Sequence, residues 1–151
     1  MDARAATIVI RTAAASFPLD AEAVQQLLPR EAMRWRYIVE HRKRWANLEK
    51  SADEIAADAS ETLRSLGLFD ADFGALAEGT VVEVSIPFLS EEDSWPARLL
   101  PWEFLLSSVT KPMRGARDFM VIRHLDFGDA QPVRVPKKAT FIEAAPGKIA
   151  D

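Results

Sequence analysis

The pattern opens on Thr7-Ile8-Val9-Ile10-Arg11-Thr12, a β-branched cluster that predicts a first strand, with a sheet edge open to it. Phe17-Pro18-Leu19-Asp20 follows as a turn in which Asp20 can cap a helix, and residues 21–28 fit a short helix ended by Pro29. From Arg30 onward, apolar side chains recur at steps of three, four or seven. Trp35, Ile38, Trp45, Leu48, Ile55, Ala59, Leu63 and Leu66 form one stripe, as a packed helix face requires. Ser51-Ala52-Asp53-Glu54 has the form of a capping box, in which the serine hydroxyl and the glutamate carboxylate satisfy each other's backbone amides. A break near residue 50 therefore gives two helices, with one long helix as the rival reading. Gly67 suits the left-handed position that closes the second. Residues 68–79 read as a loop with a short helical turn.

The second half changes period. Thr80-Val81-Val82-Glu83-Val84-Ser85-Ile86-Pro87-Phe88 alternates from Val82 onward and predicts a strand ended by Pro87. Residues 90–93 read as an acidic loop. In Leu99-Leu100-Pro101-Trp102-Glu103-Phe104-Leu105-Leu106 a proline presets the helical φ angle, and an aromatic and a carboxylate occupy the first turn. That predicts a buried helix to about Ser108, anchored by Trp102, with Glu103 favoured by the positive end of the helix dipole. A loop over 110–118 containing Pro112 and Gly115 leads to a strand over 119–125. Gly128, Pro132 and Pro136 punctuate a connection over 126–138. Ala139-Thr140-Phe141-Ile142-Glu143-Ala144-Ala145-Pro146 then reads as a strand covered on both faces. The chain is thus expected to be α/β in two parts: a strand plus helical region over 1–79, and a sheet-forming part over 80–151.

This second part resembles a known family. A Pro-Trp-Glu helix (Pro101, Trp102, Glu103), a strand carrying "V-x-R" at Val121 and Arg123, a proline-containing linker and an apolar strand closing on Pro146 are similar to the amino-terminal half of bacterial CHAT domains, relatives of caspases and separase. The likeness covers roughly residues 80–151. An ordinary buried helix between two strands of an unrelated α/β domain would read the same residues without the family. What the resemblance implies is part of a caspase-like three-layer α/β/α sandwich preceded by a helical region, with Pro101, Trp102, Glu103 and Arg123 as its structural motif. It also implies a histidine–cysteine catalytic dyad located beyond Asp151, so that this chain is part of a domain.

Composition bears directly on that chemistry. The chain has 151 residues and no cysteine, so it holds no thiolate nucleophile, disulfide or thiolate metal site. Its two histidines are His41, within a charged helix face, and His124, directly after Arg123; the family's catalytic histidine does not map onto either. A net charge of −4 argues against a dedicated nucleic-acid binder. Arg30, Arg34, Arg36, Arg42, Lys43, Arg44 and Lys50, interleaved with Trp35, Tyr37 and Trp45, spread over several helix faces and read as solvated surface. Residues 53–93 hold eleven acidic residues against the single cation Arg64, an asymmetry that intramolecular docking or a protein partner could use. Glu91, Glu92 and Asp93 lack the alternating spacing of a calcium loop, and the six glycines never cluster into a phosphate loop. No metal or cofactor is expected.

The amino-terminal apolar run over 5–15 is broken by Arg11, so neither a signal peptide nor a membrane span is expected, and the cytoplasm is the default compartment. These readings converge on a non-catalytic amino-terminal portion of a CHAT-type, caspase-like cysteine peptidase of bacterial defence or regulated proteolysis. Its expected partner is the remainder of that domain or another protein chain, with an oligomer possible and neither nucleic acid nor membrane engaged. A stand-alone protein–protein interaction module without enzymatic activity is the alternative.

Overall fold

The structure, a computed structural model, describes residues 7–40, 52–88 and 91–128. Among them run four strands and five helices: β1 (Val9–Arg11), β2 (Ser16–Pro18), α1 (Ala21–Glu40), α2 (Ala52–Ser65), α3 (Asp70–Glu78), β3 (Val81–Pro87), α4 (Glu91–Leu99), α5 (Trp102–Arg114) and β4 (Met120–Asp126). The α/β class is as expected. The capping residue Ser51, Trp45 and Leu48 of the stripe, His41, the cations Arg42, Lys43, Arg44 and Lys50, the connection beyond residue 128 and the last predicted strand lie outside the described residues.

The sheet order is β2-β1-β3-β4, antiparallel between β2, β1 and β3 and parallel between β3 and β4. β1 is therefore internal rather than at an edge. The segment read as a turn around Phe17 contributes the edge strand β2, because Thr12 turns the chain back: its amide donates to the Ala15 carbonyl (2.8 Å) and its hydroxyl accepts from the Ala15 amide (3.1 Å). Register places Ile10, Val82, Val84, Ile86, Val121, Arg123 and Leu125 on one face. Ile10, Val82, Val84 and Ile86 are fully buried there, under α4 and α5, on which α1, α2 and α3 pack in turn.

Asp20 caps α1 as expected, accepting from the Ala23 amide at 2.7 Å. The helix does not end at Pro29, however, but runs through it to Glu40. An interior proline costs roughly 3 kcal/mol. Leu28, Ala32 and Trp35, all buried on one stripe across that point, offset it. The stripe does split into two helices: the Trp35 indole N–H donates to the Thr62 hydroxyl at 2.9 Å, whereas one continuous helix would hold these residues roughly 40 Å apart.

Three further segments are more helical than their local sequence suggests. Residues 70–78 form α3, whose first turn is held by Asp72 reaching back to the Phe69 amide at 2.7 Å. The acidic stretch over 90–93 is largely the start of α4 rather than a loop. The Pro-Trp-Glu helix continues through Pro112 to Arg114, since Val109 and Thr110 prolong its buried face, and Gly115 closes it at φ +62°.

Gly67 ends α2 at φ +104°, and a Cβ there would stand 2.9 Å from the Asp20 backbone nitrogen. Gly67→Ala is accordingly expected to destabilise the fold by about 1–3 kcal/mol. Thermal unfolding checks this; an unchanged melting temperature would contradict it.

Candidate functional site

The four motif residues meet at one corner of the molecule. Pro101 precedes α5 with φ −79°, so the helix begins at Trp102. Trp102 is fully buried, and its indole N–H donates to the Ala97 carbonyl of α4 at 2.7 Å, which ties the two helices at their junction. Leu100, Leu105 and Leu106 are buried in the same core cluster. The next helical position, about 100° around the axis, places Glu103 on the outer side of the same junction, facing Arg123 of β4.

Arg123 reaches it from the sheet. Its Nε donates to Glu103 Oε1 at 2.6 Å and its Nη2 to Glu103 Oε2, while Nη1 donates to the Arg98 carbonyl near the end of α4. A planar guanidinium matches a carboxylate in this two-point fashion. The third bond gives Arg123 a hold on a carbonyl in the last turn of α4. One side chain of β4 thus holds the end of one helix and the start of the next. The expectation that Glu103 serves the helix dipole is incomplete, since Arg123 is its direct partner.

Burial pushes the Glu103 carboxyl up, but the hydrogen bond from Arg123, that from its own backbone amide and the Arg123 charge outweigh it, so the group titrates below its ordinary value. Half of the Glu103 side chain remains exposed, so the pair contributes at most about 1 kcal/mol. A lowered carboxyl stabilises the fold above its unfolded value, and this contribution is lost as pH falls through the folded value. Arg123→Ala should raise the Glu103 pKa, because burial is then opposed only by the hydrogen bond from its own backbone amide. Carboxyl NMR titration checks this, and an unmoved titration would contradict the pairing.

His124 lies on the opposite, open face, where its Nδ1 is 3.2 Å from Glu83 Oε1, which also faces Arg11 at 3.6 Å. This is a surface row of ion-pairing groups, with Ser85 opposite His124 in the β3–β4 register. The cations proposed for α1 face carboxylates: Arg30 and Arg34 pair with Glu31, Arg34 also with Asp58 of the acidic half, and Arg36 with Glu40. Among the described residues no group of three or more histidine, cysteine, aspartate or glutamate side chains could hold a metal ion.

Two features escaped the sequence reading. The joining of Glu103 to Arg123 could have been sought from the period of β4, since Arg123 alternates in phase with Val121 and Leu125 and so had to find a polar partner on the helix-facing side. Glu31, 5% exposed, lies four residues before Trp35 on the apolar stripe. It accepts from Arg34 (3.0 Å) and from the Thr62 hydroxyl (3.2 Å), forming a closed polar network between α1 and α2.

No family model, curated protein or solved structure matches this chain. No helix among the described residues is long and apolar enough to cross a membrane.

Proposed function

We propose that this chain is the non-catalytic, amino-terminal portion of a CHAT-type, caspase-like cysteine peptidase, acting in the bacterial cytoplasm in defence or regulated proteolysis. The observation that carries the reading is the bond between its two motif elements: Glu103 of the Pro-Trp-Glu helix and Arg123 of the "V-x-R" strand, twenty residues apart, form one bidentate pair. A motif whose separated parts close on each other is more than a coincidence of local composition. The fully buried Trp102 at the same corner supports it further.

The role on this reading is architectural. β3 and β4 supply parallel strands, and the face of the sheet away from the helices leaves Val81, Met120 and Ile122 respectively 44%, 58% and 46% exposed. Parallel strands are ordinarily covered on both faces, so this surface suits the remainder of the domain. The same open face also favours the second reading, a module that binds a partner protein and serves no peptidase.

The pure chain, incubated with broad fluorogenic peptide libraries, is expected to show no turnover, because it contains no cysteine. Cleavage that persists through rigorous purification would contradict the assignment.

A further inference from the structure

The last turn of α5 and the turn into β4 carry Lys111, Arg114 and Arg117, which the function proposed above does not use. Arg114 is held from several sides. Its Nε donates to the Thr110 hydroxyl (3.3 Å), its Nη2 to the Ser107 hydroxyl (3.0 Å) and its Nη1 to the Arg117 carbonyl (2.7 Å), while its guanidinium lies 4.7 Å from the centre of the Phe119 ring. Arg117 returns the bond, its Nε donating to the Arg114 carbonyl at 3.4 Å. All of these acceptors are neutral. Among the described residues no carboxylate pairs with Lys111, Arg114 or Arg117, although Asp118 is the next residue along the chain. The arginines of α1 and α2 differ: Arg30, Arg34, Arg36 and Arg64 each meet a carboxylate within 3.3 Å. A helix C-terminus attracts cations, which explains why they gather here. It does not explain why two arginines are tied to each other's backbone with their charges uncompensated, since like charges in one place repel.

We propose that this α5–β4 corner is a docking site for a short acidic segment of a partner protein. Lys111 and Arg117 are exposed, and the guanidinium of Arg117 keeps its Nη donors for a carboxylate, which it matches in the two-point fashion that Arg123 shows with Glu103. Arg114, already fixed, adds charge without needing to be ordered on binding. Met113, 45% exposed between Lys111 and Arg114, offers a pliable apolar surface to a neighbouring side chain of the segment. The charge of the whole chain selects among anions. At a net charge of −4 the rest of the surface repels an extended polyanion such as duplex DNA or an anionic membrane, over roughly 10 Å at 0.1 M ionic strength, whereas a short acidic segment stays within the patch. The inference rests on neither reading of the function, since the corner is built from α5 and the turn after it alone.

The test is an NMR titration of the isotope-labelled full chain with end-blocked hexaglutamate, followed through the backbone amides and the arginine Nε–H signals. The signals of residues 111–119 are expected to shift and saturate while those of α1 stay in place, and added salt should weaken the binding. In the double variant Lys111→Gln, Arg117→Gln the Kd should rise at least about 10-fold, whereas Arg36→Gln, which removes a cation already paired with Glu40, should change it by less than about 2-fold. Both residues of the double variant are exposed, and the dispersion of its amide signals reports that it is folded; should it unfold, Lys111→Gln alone decides. The absence of saturable shifts at millimolar peptide overturns the proposal, as does an equal loss in Arg36→Gln. Tighter binding of duplex DNA or of phosphatidylserine vesicles than of hexaglutamate overturns it too, and would assign the patch to nucleic acid or to a membrane.

Discussion

Trp102→Ala is expected to remove about 3–5 kcal/mol of folding stability, in the range for truncating a buried tryptophan. The side chain is fully enclosed and belongs to the same core cluster as the buried Leu100, Leu105 and Leu106. Truncation leaves a cavity there and strands the Ala97 carbonyl, whose indole partner is lost. Trp102→Phe should cost less, since it keeps most of the apolar area and forfeits chiefly the hydrogen bond. Chemical denaturation measures both. A loss under about 1 kcal/mol for the alanine variant would mean that the motif tryptophan is not the anchor of this corner.

A loss of similar size, about 3–5 kcal/mol, is expected for Trp35→Ala. Trp35 is equally buried, its ring lies 5.8 Å from that of Phe104, and its indole N–H donates to Thr62. The residue therefore joins α1 to both α2 and α5. Trp35→Phe separates the two contributions: it preserves packing but leaves the Thr62 hydroxyl without its donor, which should cost roughly 1–3 kcal/mol. Combining it with Thr62→Val should cost less than the sum of the single changes, because both remove the same bond. Additive losses would show that the hydrogen bond contributes nothing.

The periodic signals of the chain were legible where burial and local preference agree. The alternation of β3, the strand at β4, the split of the apolar stripe and the glycine closing α2 all follow from residue order. Boundaries set by proline were not. Pro29 and Pro112 each predict a helix end, yet α1 and α5 run through them. Trp35, buried on the far side of Pro29, holds α1 helical against the lost hydrogen bond, while in α5 the buried Val109 and Thr110 carry the helix up to Pro112 and Arg114 beyond it bonds back to Ser107 and Thr110. α3 was obscured by Gly74 at its centre and by a cap made from Asp72 rather than from a side chain at the preceding position. β2 was too short and too proline-bounded to be seen before its pairing with β1 was known.

The candidate site was legible as residues and not as a site. Trp102, Glu103 and Arg123 could each be singled out from the sequence. What could not be read was that a crossover through α4 and α5 returns the chain parallel to β3, and so points Arg123 at the first turn of α5. The carboxylate and guanidinium acquire their meaning from that topology. Glu31 illustrates the converse: its place on an apolar stripe was visible, but its ties to Arg34 and Thr62 depend on α2 packing alongside.

The peptidase reading is tested most directly by adding the polypeptide encoded after Asp151, in trans or as one chain, and measuring cleavage of fluorogenic peptides. The reading predicts that the combined protein cleaves, that a thiol-alkylating reagent abolishes the activity, and that neither part cleaves alone. A continuation without a histidine and a cysteine, or a combined protein that stays inert while folded and associated, would contradict it.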